Sequence, residues 1–432
     1  MDSIKKLLKV ITPIIIRGAA ACISVLLSIV VGRVLGVEGA GYFFLALSVL
    51  AYLNAISRGG MDQTLIRLIA RSPKQGQKFW QRLFTTSLLT TSIVSIFCGS
   101  GAVVVVFYFL PNEGSQMQDA IVIASMCVVP TSITWINAGI LQGMRKINLA
   151  MFFQTAFTPL LTVPVILITS DVRGALLVYF VASTITCIFS ILAIQRLLGW
   201  QVFAAKPIFA KKFFSSSANL AVASLMNALQ NWLPLTLAAV FVSPYDVGLY
   251  AAALRLSSVG ALVLTALNAY AAPAFARESR RANLREFQTK VNTHSSLGFA
   301  LGLPLVLCLF VMPSSMLSLF GAEFKDAAYI LMILTVGQLV IFATGGGSTL
   351  LAMTGHDRDL RMVTVASVGV MAVLSSIGLY LSGSVLIAAA VTSLVVAFQN
   401  IWICVLVKKR LSITAWFDPF ILFNQIGLNG RK

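Results

Sequence analysis

"ITPIIIRGAAACISVLLSIVVGRVLG", residues 11–36, is an apolar run of 26 residues whose only charges are Arg17 and Arg33. A hydrocarbon core of about 30 Å is crossed by roughly 20 helical residues, so the run is long enough to span a bilayer. A cleaved signal peptide fits less well. Arg17 interrupts the short apolar core such a peptide needs, and no clean small-x-small cleavage site follows. Ala19 stands where a lipoprotein site before Cys22 usually carries leucine. The expectation is therefore a retained transmembrane helix.

The other residues agree. Of 432 residues, 58% are hydrophobic and 11% charged, with a mean hydropathy of +0.91, whereas soluble domains carry roughly a quarter charged residues. The six cysteines all lie in apolar runs, where Cys behaves as a small hydrophobe. Neither a disulfide framework nor a metal site is implied.

Punctuation by Gly, Pro and charge divides the chain into twelve predicted spans: 11–35, 41–68, 83–110, 119–142, 149–169, 173–195, 217–242, 247–275, 293–319, 327–353, 362–382 and 385–407. With a cytoplasmic N-terminus, 25 of the 32 Lys and Arg fall on the inner side. The outer turns hold only Arg173 and Lys325, against seven acids. This is the charge asymmetry expected of cytoplasmic loops, and it places both termini inside. The formal charge of +18 is thus explained by topology and anionic head groups, not by nucleic acid. Five bases remain within spans, Arg17, Arg33, Arg58, Arg67 and Arg255, together with one carboxylate, Asp62.

A cytoplasmic connection near 196–216 separates six spans from six. "VEGAGY" (37–42) and "YDVGLY" (245–250) align at an offset of 208 residues. Because six is even, such a repeat is parallel, about an axis along the membrane normal. The expected architecture is all-α: two six-helix bundles, 1–205 and 206–408, around a central cleft. A cytoplasmic or interfacial tail follows at 409–432, broken by Asp418 and Pro419.

"GRVLGVEGAGYFFLALSVLAYLNAISRGGMDQTLIRLIAR" (32–71), "SPYDVGLYAAALRLSSV" (243–259), "APAFARESRR" (272–281) and "LQGMRK" (141–146) resemble the corresponding segments of O-antigen oligosaccharide flippases of the Wzx type. Those proteins share a superfamily with multidrug exporters of the MATE type and with lipid II flippases. The resemblance implies a V-shaped pair of bundles that alternates between inward-open and outward-open forms. The cargo it implies is an undecaprenyl-pyrophosphate-linked oligosaccharide.

An arginine at the centre of a membrane helix costs about 2.5–3.5 kcal/mol on insertion scales, so it faces a wet cavity, finds a partner or snorkels to head groups. Arg17, Arg58 and Arg255 are the candidates for binding pyrophosphate, whose oxygens suit a planar guanidinium. They resemble in placement the essential arginines in the first, second and eighth helices of lipid II flippases. Arg33 reads as an outer-interface anchor and Arg67 as a cytoplasmic boundary residue. Arg58 and Asp62, four apart, read either as a structural ion pair or as cleft-lining groups, and with Asn54 they make a polar stripe that faces away from lipid in either case. Asp62 is also the candidate for coupling to a proton or sodium ion. Asn54, Asn227, Gln230, Asn231, Trp232 and Tyr270 are candidate sugar contacts, with interhelical hydrogen bonding as the competing use of the amides. Pro159, Pro164, Pro234 and Pro304, with Gly345-Gly346-Gly347, either permit bending or serve ordinary packing.

No GxxxxGK[ST] phosphate loop is present, so the expected driving force is an ion gradient or membrane potential. No cofactor is expected. The short outer turns and two histidines, His294 and His356, leave little material for a polymerase or lipid-dependent glycosyltransferase, and an arginine-rich cleft suits a cationic drug poorly. The reading is a multi-pass transporter of the bacterial inner membrane, not an enzyme. Its expected partners are a lipid-linked oligosaccharide, membrane lipids and other polysaccharide-assembly proteins.

Overall fold

The computed structural model describes residues 2–71, 76–109, 115–199, 211–278 and 284–417. Every described element is helical, and nine helices among the described residues are long and apolar enough to cross a membrane. By contact the chain divides into two compact units, Met1–Thr236 and Leu237–Lys432.

The first unit begins with α1 (Asp2–Arg58), which covers the first predicted span and most of the second. Its helical dihedrals are interrupted at Gly36, with φ 69° and ψ −173°, a conformation that only glycine adopts cheaply. The single residue Gly36 therefore stands where a longer turn was expected. The second predicted span, 41–68, is corrected more substantially. It ends at Arg58, Gly59 and Gly60 both take positive φ, and a separate helix, α2 (Met61–Arg71), follows.

Next come α3 (Gly76–Phe109), α4 (Ser115–Gly143), and a crossing built from α5 (Ile147–Met151), a π-helical turn (Phe152–Ala156) and α6 (Phe157–Ile166). Helix α7 (Val172–Leu198) is capped at its start by the Asp171 carboxylate, which accepts from the Gly174 amide, and α8 (Lys211–Phe241) carries the chain through the unit's last residue, Thr236.

Small residues set the close contacts. Gly139 and Gly143, the ends of a G-x-x-x-G in α4, let α2 approach to backbone distance: a Cβ on Gly139 would lie 2.7 Å from the Asp62 carbonyl oxygen, and one on Gly143 2.8 Å from Ile69 Cβ. Gly60 does the same for α8, where a Cβ would lie 2.5 Å from the backbone of both Ser217 and Ala221. Hydroxyls complete the α8 contact. Ser217 donates to Thr64 at 3.1 Å, and Tyr52, Thr236 and Ser48 form a chain at 2.9 and 3.1 Å. Beneath α2 the apolar core is built on Leu65, Phe84, Ile136, Ile140 and Leu141, all buried.

The second unit contains α9 (Pro244–Ser257), α10 (Val259–Glu278), α11 (Leu284–Val311), α12 (Pro313–Leu317), α13 (Ala328–Thr344), α14 (Gly347–Met353), α15 (Asp357–Ser382) and α16 (Val385–Leu411). Two predicted spans are broken here as well. The stretch 247–275 is divided between α9 and α10 at Ser258, and 327–353 is divided between α13 and α14 at Gly345-Gly346, where Ser295, His294 and Asn268 fill the space that Cβ atoms would need. A further break separates α11 from α12 within 293–319.

Tyr250, the tyrosine of the second repeat motif, is fully buried and shares a hydrogen bond of 3.0 Å with Thr392. The start of the tail is docked. Gln288 exchanges hydrogen bonds with the Thr414 backbone at 2.8 Å, the Phe417 amide donates to Ala343 O at 2.9 Å, and the Phe417 ring stacks on Phe299 at 4.1 Å. Residues 418–432 lie outside the described residues.

Candidate functional site

Arg58 lies in the last turn of α1, where the carbonyl ends of the helix carry partial negative charge and favour a cation. It is 8% exposed and Asp62 7%. Its Nη1 donates to Asp62 Oδ2 at 2.8 Å, its Nε donates to the Asn54 carbonyl at 3.0 Å, and its guanidinium carbon sits 4.2 Å above the Trp135 ring. The other Asp62 oxygen, Oδ1, is buried and has no hydrogen-bond partner among the described residues.

The ion-pair reading of Arg58 and Asp62 is thus realised, but not along one helical face. Arg58 ends α1, Asp62 begins α2, and the pair bridges the Gly59-Gly60 break. Asn54, one turn before Arg58 on α1, is held from α4: its Oδ1 accepts from Thr131 Oγ1 at 2.9 Å and from Ser132 Oγ at 2.6 Å. The competing use of its amide, interhelical hydrogen bonding, therefore occupies its oxygen.

Trp135, Thr131 and Ser132 did not stand out in the sequence. Their spacing on α4 was the available signal, since residues three and four apart share a helical face.

Among the remaining candidates, Arg17 lies on α1 but its side chain is outside the described residues, as is that of Tyr270. Arg255 is in the second unit, half-buried, in the last turn of α9 immediately before the break at Ser258. Arg58 and Arg255 both lie in the last turn of a helix, but Ser258 keeps right-handed helical dihedrals whereas Gly59 and Gly60 take positive φ. On α8, Asn227 and Asn231 are exposed and joined to each other, with Asn231 Nδ2 donating to the Asn227 carbonyl at 2.7 Å. Gln230 and Trp232 beside them are half-buried. No group of three or more His, Cys, Asp or Glu able to hold a metal occurs among the described residues.

Residues 7–279 match the family model described as "Polysaccharide biosynthesis protein". No curated protein matches the chain. Among solved structures, a multidrug resistance MATE family transporter of the MOP superfamily in an inward-facing conformation superposes with a TM-score of 0.72 at 15% identity, covering 93% of this chain and 98% of that one. The lipid II flippase MurJ in an inward closed conformation gives 0.68 at 13% identity, covering 95% and 88%. A MOP superfamily transporter from Pyrococcus furiosus, described as having a binding pocket of reverse polarity, gives 0.64 at 15% identity, covering 93% and 95%. At these identities the likeness is one of fold. Together with the family match it bears out the resemblance carried by the two hairpins.

Proposed function

The chain belongs to the polysaccharide biosynthesis protein family, and from that premise we propose that it flips an undecaprenyl-pyrophosphate-linked oligosaccharide, an O-antigen or related repeat unit. The movement is from the cytoplasmic to the periplasmic leaflet of a bacterial inner membrane. The observation that carries this reading is Arg58, a guanidinium kept buried beside a helix break in a chain with the fold of membrane transporters. Interrupted helices at membrane depth are where such proteins place charged cargo and coupling ions.

Asp62 already holds one edge of the guanidinium, so substrate binding is an exchange of anions. The pyrophosphate replaces the carboxylate on Arg58, and Asp62, with Oδ1 already free of hydrogen bonds, takes up a proton or sodium ion. Arg17 and Arg255 are further holding points for the pyrophosphate. Asn227, Gln230, Asn231, Trp232 and Tyr270 meet the sugars, and Asn54 takes part through its amide nitrogen. Residues 1–205 and 206–408 are the two bodies that alternate access, driven by an ion gradient or the membrane potential.

The test measures which leaflet holds the lipid-linked oligosaccharide, using an impermeant lectin on spheroplasts and on inverted vesicles. Cells lacking the protein accumulate it on the cytoplasmic side. Arg58→Ala reduces translocation at least tenfold at equal expression, because losing one partner of a buried charged contact costs about 2–5 kcal/mol, and Arg58→Lys restores part of it. Unchanged leaflet distribution in the deletion strain, with increased sensitivity to cationic drugs, would overturn the proposal in favour of a drug exporter.

A further inference from the structure

At the junction of α5, the π-helical turn and α7, the first unit has a cavity of about 410 Å³ lined by Lys146 and Arg196 and by apolar side chains that include Leu149, Phe153, Phe189 and Leu192. This volume falls in the range of about 300–1,000 Å³ typical of small-molecule sites. No carboxylate lines it, and neither Lys146 nor Arg196 has an acidic partner among the described residues. Both cations belong to segments that the charge asymmetry places on the cytoplasmic side.

Two local irregularities build the cavity. Arg145 adopts φ 63°, an uncommon left-handed conformation for a residue other than glycine, and leads directly into Lys146. The π-helical turn Phe152–Ala156 inserts an extra residue into the crossing, and such turns frequently occur at functional sites. The turn gathers Phe152, Phe153 and Phe157 within 5.1–5.9 Å of one another, and Phe157 meets Phe189 edge-on at 5.6 Å. Phe189 and Leu192 are 50% and 38% exposed, so the apolar wall opens outward from the bundle. The cavity therefore has two cations at one end and an open aromatic and aliphatic wall beside them.

We propose that this cavity binds an anionic glycerophospholipid of the cytoplasmic leaflet, its phosphodiester between Lys146 and Arg196 and an acyl chain along Phe153, Phe189 and Leu192. Basic pockets between transmembrane helices on the cytoplasmic side suit such head groups. The site is independent of the transport reading, since none of the residues assigned to the cargo lines it.

The test uses purified protein in nanodiscs of phosphatidylcholine with or without phosphatidylglycerol, with retained lipid counted by native mass spectrometry. Wild-type protein retains phosphatidylglycerol. The Lys146→Gln/Arg196→Gln variant binds it about 30-fold more weakly, the ratio given by about 1 kcal/mol per basic residue near an anionic surface. Lys408→Gln/Lys409→Gln, with the same loss of exposed charge on α16, binds like wild type. Ala193→Trp, which fills the cavity without altering charge, abolishes the thermal stabilisation given by phosphatidylglycerol and serves if the double variant fails to fold. Equal retention by wild-type and cavity variants would overturn the proposal. So would equal loss in the α16 variant, or selective retention of polyprenyl phosphate over phosphatidylglycerol.

Discussion

Breaking the Arg58–Asp62 pair from its two sides should have unequal costs, and the inequality follows from the remaining contacts. Removing one partner of a buried ion pair costs about 3–5 kcal/mol, because the other charge is left uncompensated. Arg58→Met leaves Asp62 in this position: Oδ2 loses its donor at 2.8 Å and Oδ1 has none to begin with. The full cost of about 3–5 kcal/mol is expected. Asp62→Asn leaves the guanidinium with the Asn54 carbonyl and the face of Trp135. A desolvated cation–π contact is worth about 2 kcal/mol, which lowers the expected cost to about 1–3 kcal/mol. Replacing both partners by apolar residues, Arg58→Met/Asp62→Leu, removes both charges and should be nearly neutral.

Thermal midpoints in detergent, taken at one scan rate, measure the order. At about 2 °C per kcal/mol for a chain of this size, the Arg58→Met midpoint falls by about 6–10 °C and that of Asp62→Asn by about 2–6 °C, while the double variant stays within about 2 °C of wild type. If Asp62→Asn were as damaging as Arg58→Met, or the double variant showed the sum of the single losses, the account of this site would be refuted.

Gly139→Ala places a methyl group 2.7 Å from the backbone oxygen of Asp62 and should cost about 1–3 kcal/mol by overpacking, seen as a lowered thermal midpoint. Gly60→Ala combines positive φ with a clash against the α8 backbone, whereas Gly36→Ala meets open space but must hold φ 69° and ψ −173°, a region that is essentially glycine's alone; Gly36→Ala should cost about 1–3 kcal/mol from backbone strain, and Gly60→Ala should cost more because the clash adds to its strain. Gln288→Ala removes the bonds that hold Thr414, so limited proteolysis should cut near 412–417 sooner than in wild type. Asp359→Asn weakens a partly exposed bidentate pair with Arg410 and should leave the thermal midpoint almost unchanged, because exposed ion pairs contribute little.

The helical architecture was legible because a crossing helix needs a long apolar run, and such runs dominate this composition. The pairing of Arg58 with Asp62 was also legible, since four-residue spacing is visible in any string. The helix breaks were harder to see, because a hydropathy reading does not register a backbone interruption within an apolar run. Gly59-Gly60 and Gly345-Gly346 left a trace as glycine doublets, but Ser258 left none. The π-helical turn at Phe152–Ala156 has no compositional mark at all, and with it the lipid cavity stayed out of view. Trp135 was invisible for a different reason: its role depends on which face of α4 meets α1, and only packing decides that.

The glycine doublet after Arg58 also has a mechanical meaning. Helix α2 is seated on α4 through Gly139 and Gly143, while its link to α1 consists of two residues without side chains. The ion pair straddles that link like a clasp across a hinge. A ligand that draws Arg58 away from Asp62 would therefore unfasten the joint as it binds, and recognition of the ligand would be felt as a change in bend between α1 and the helices that carry α2.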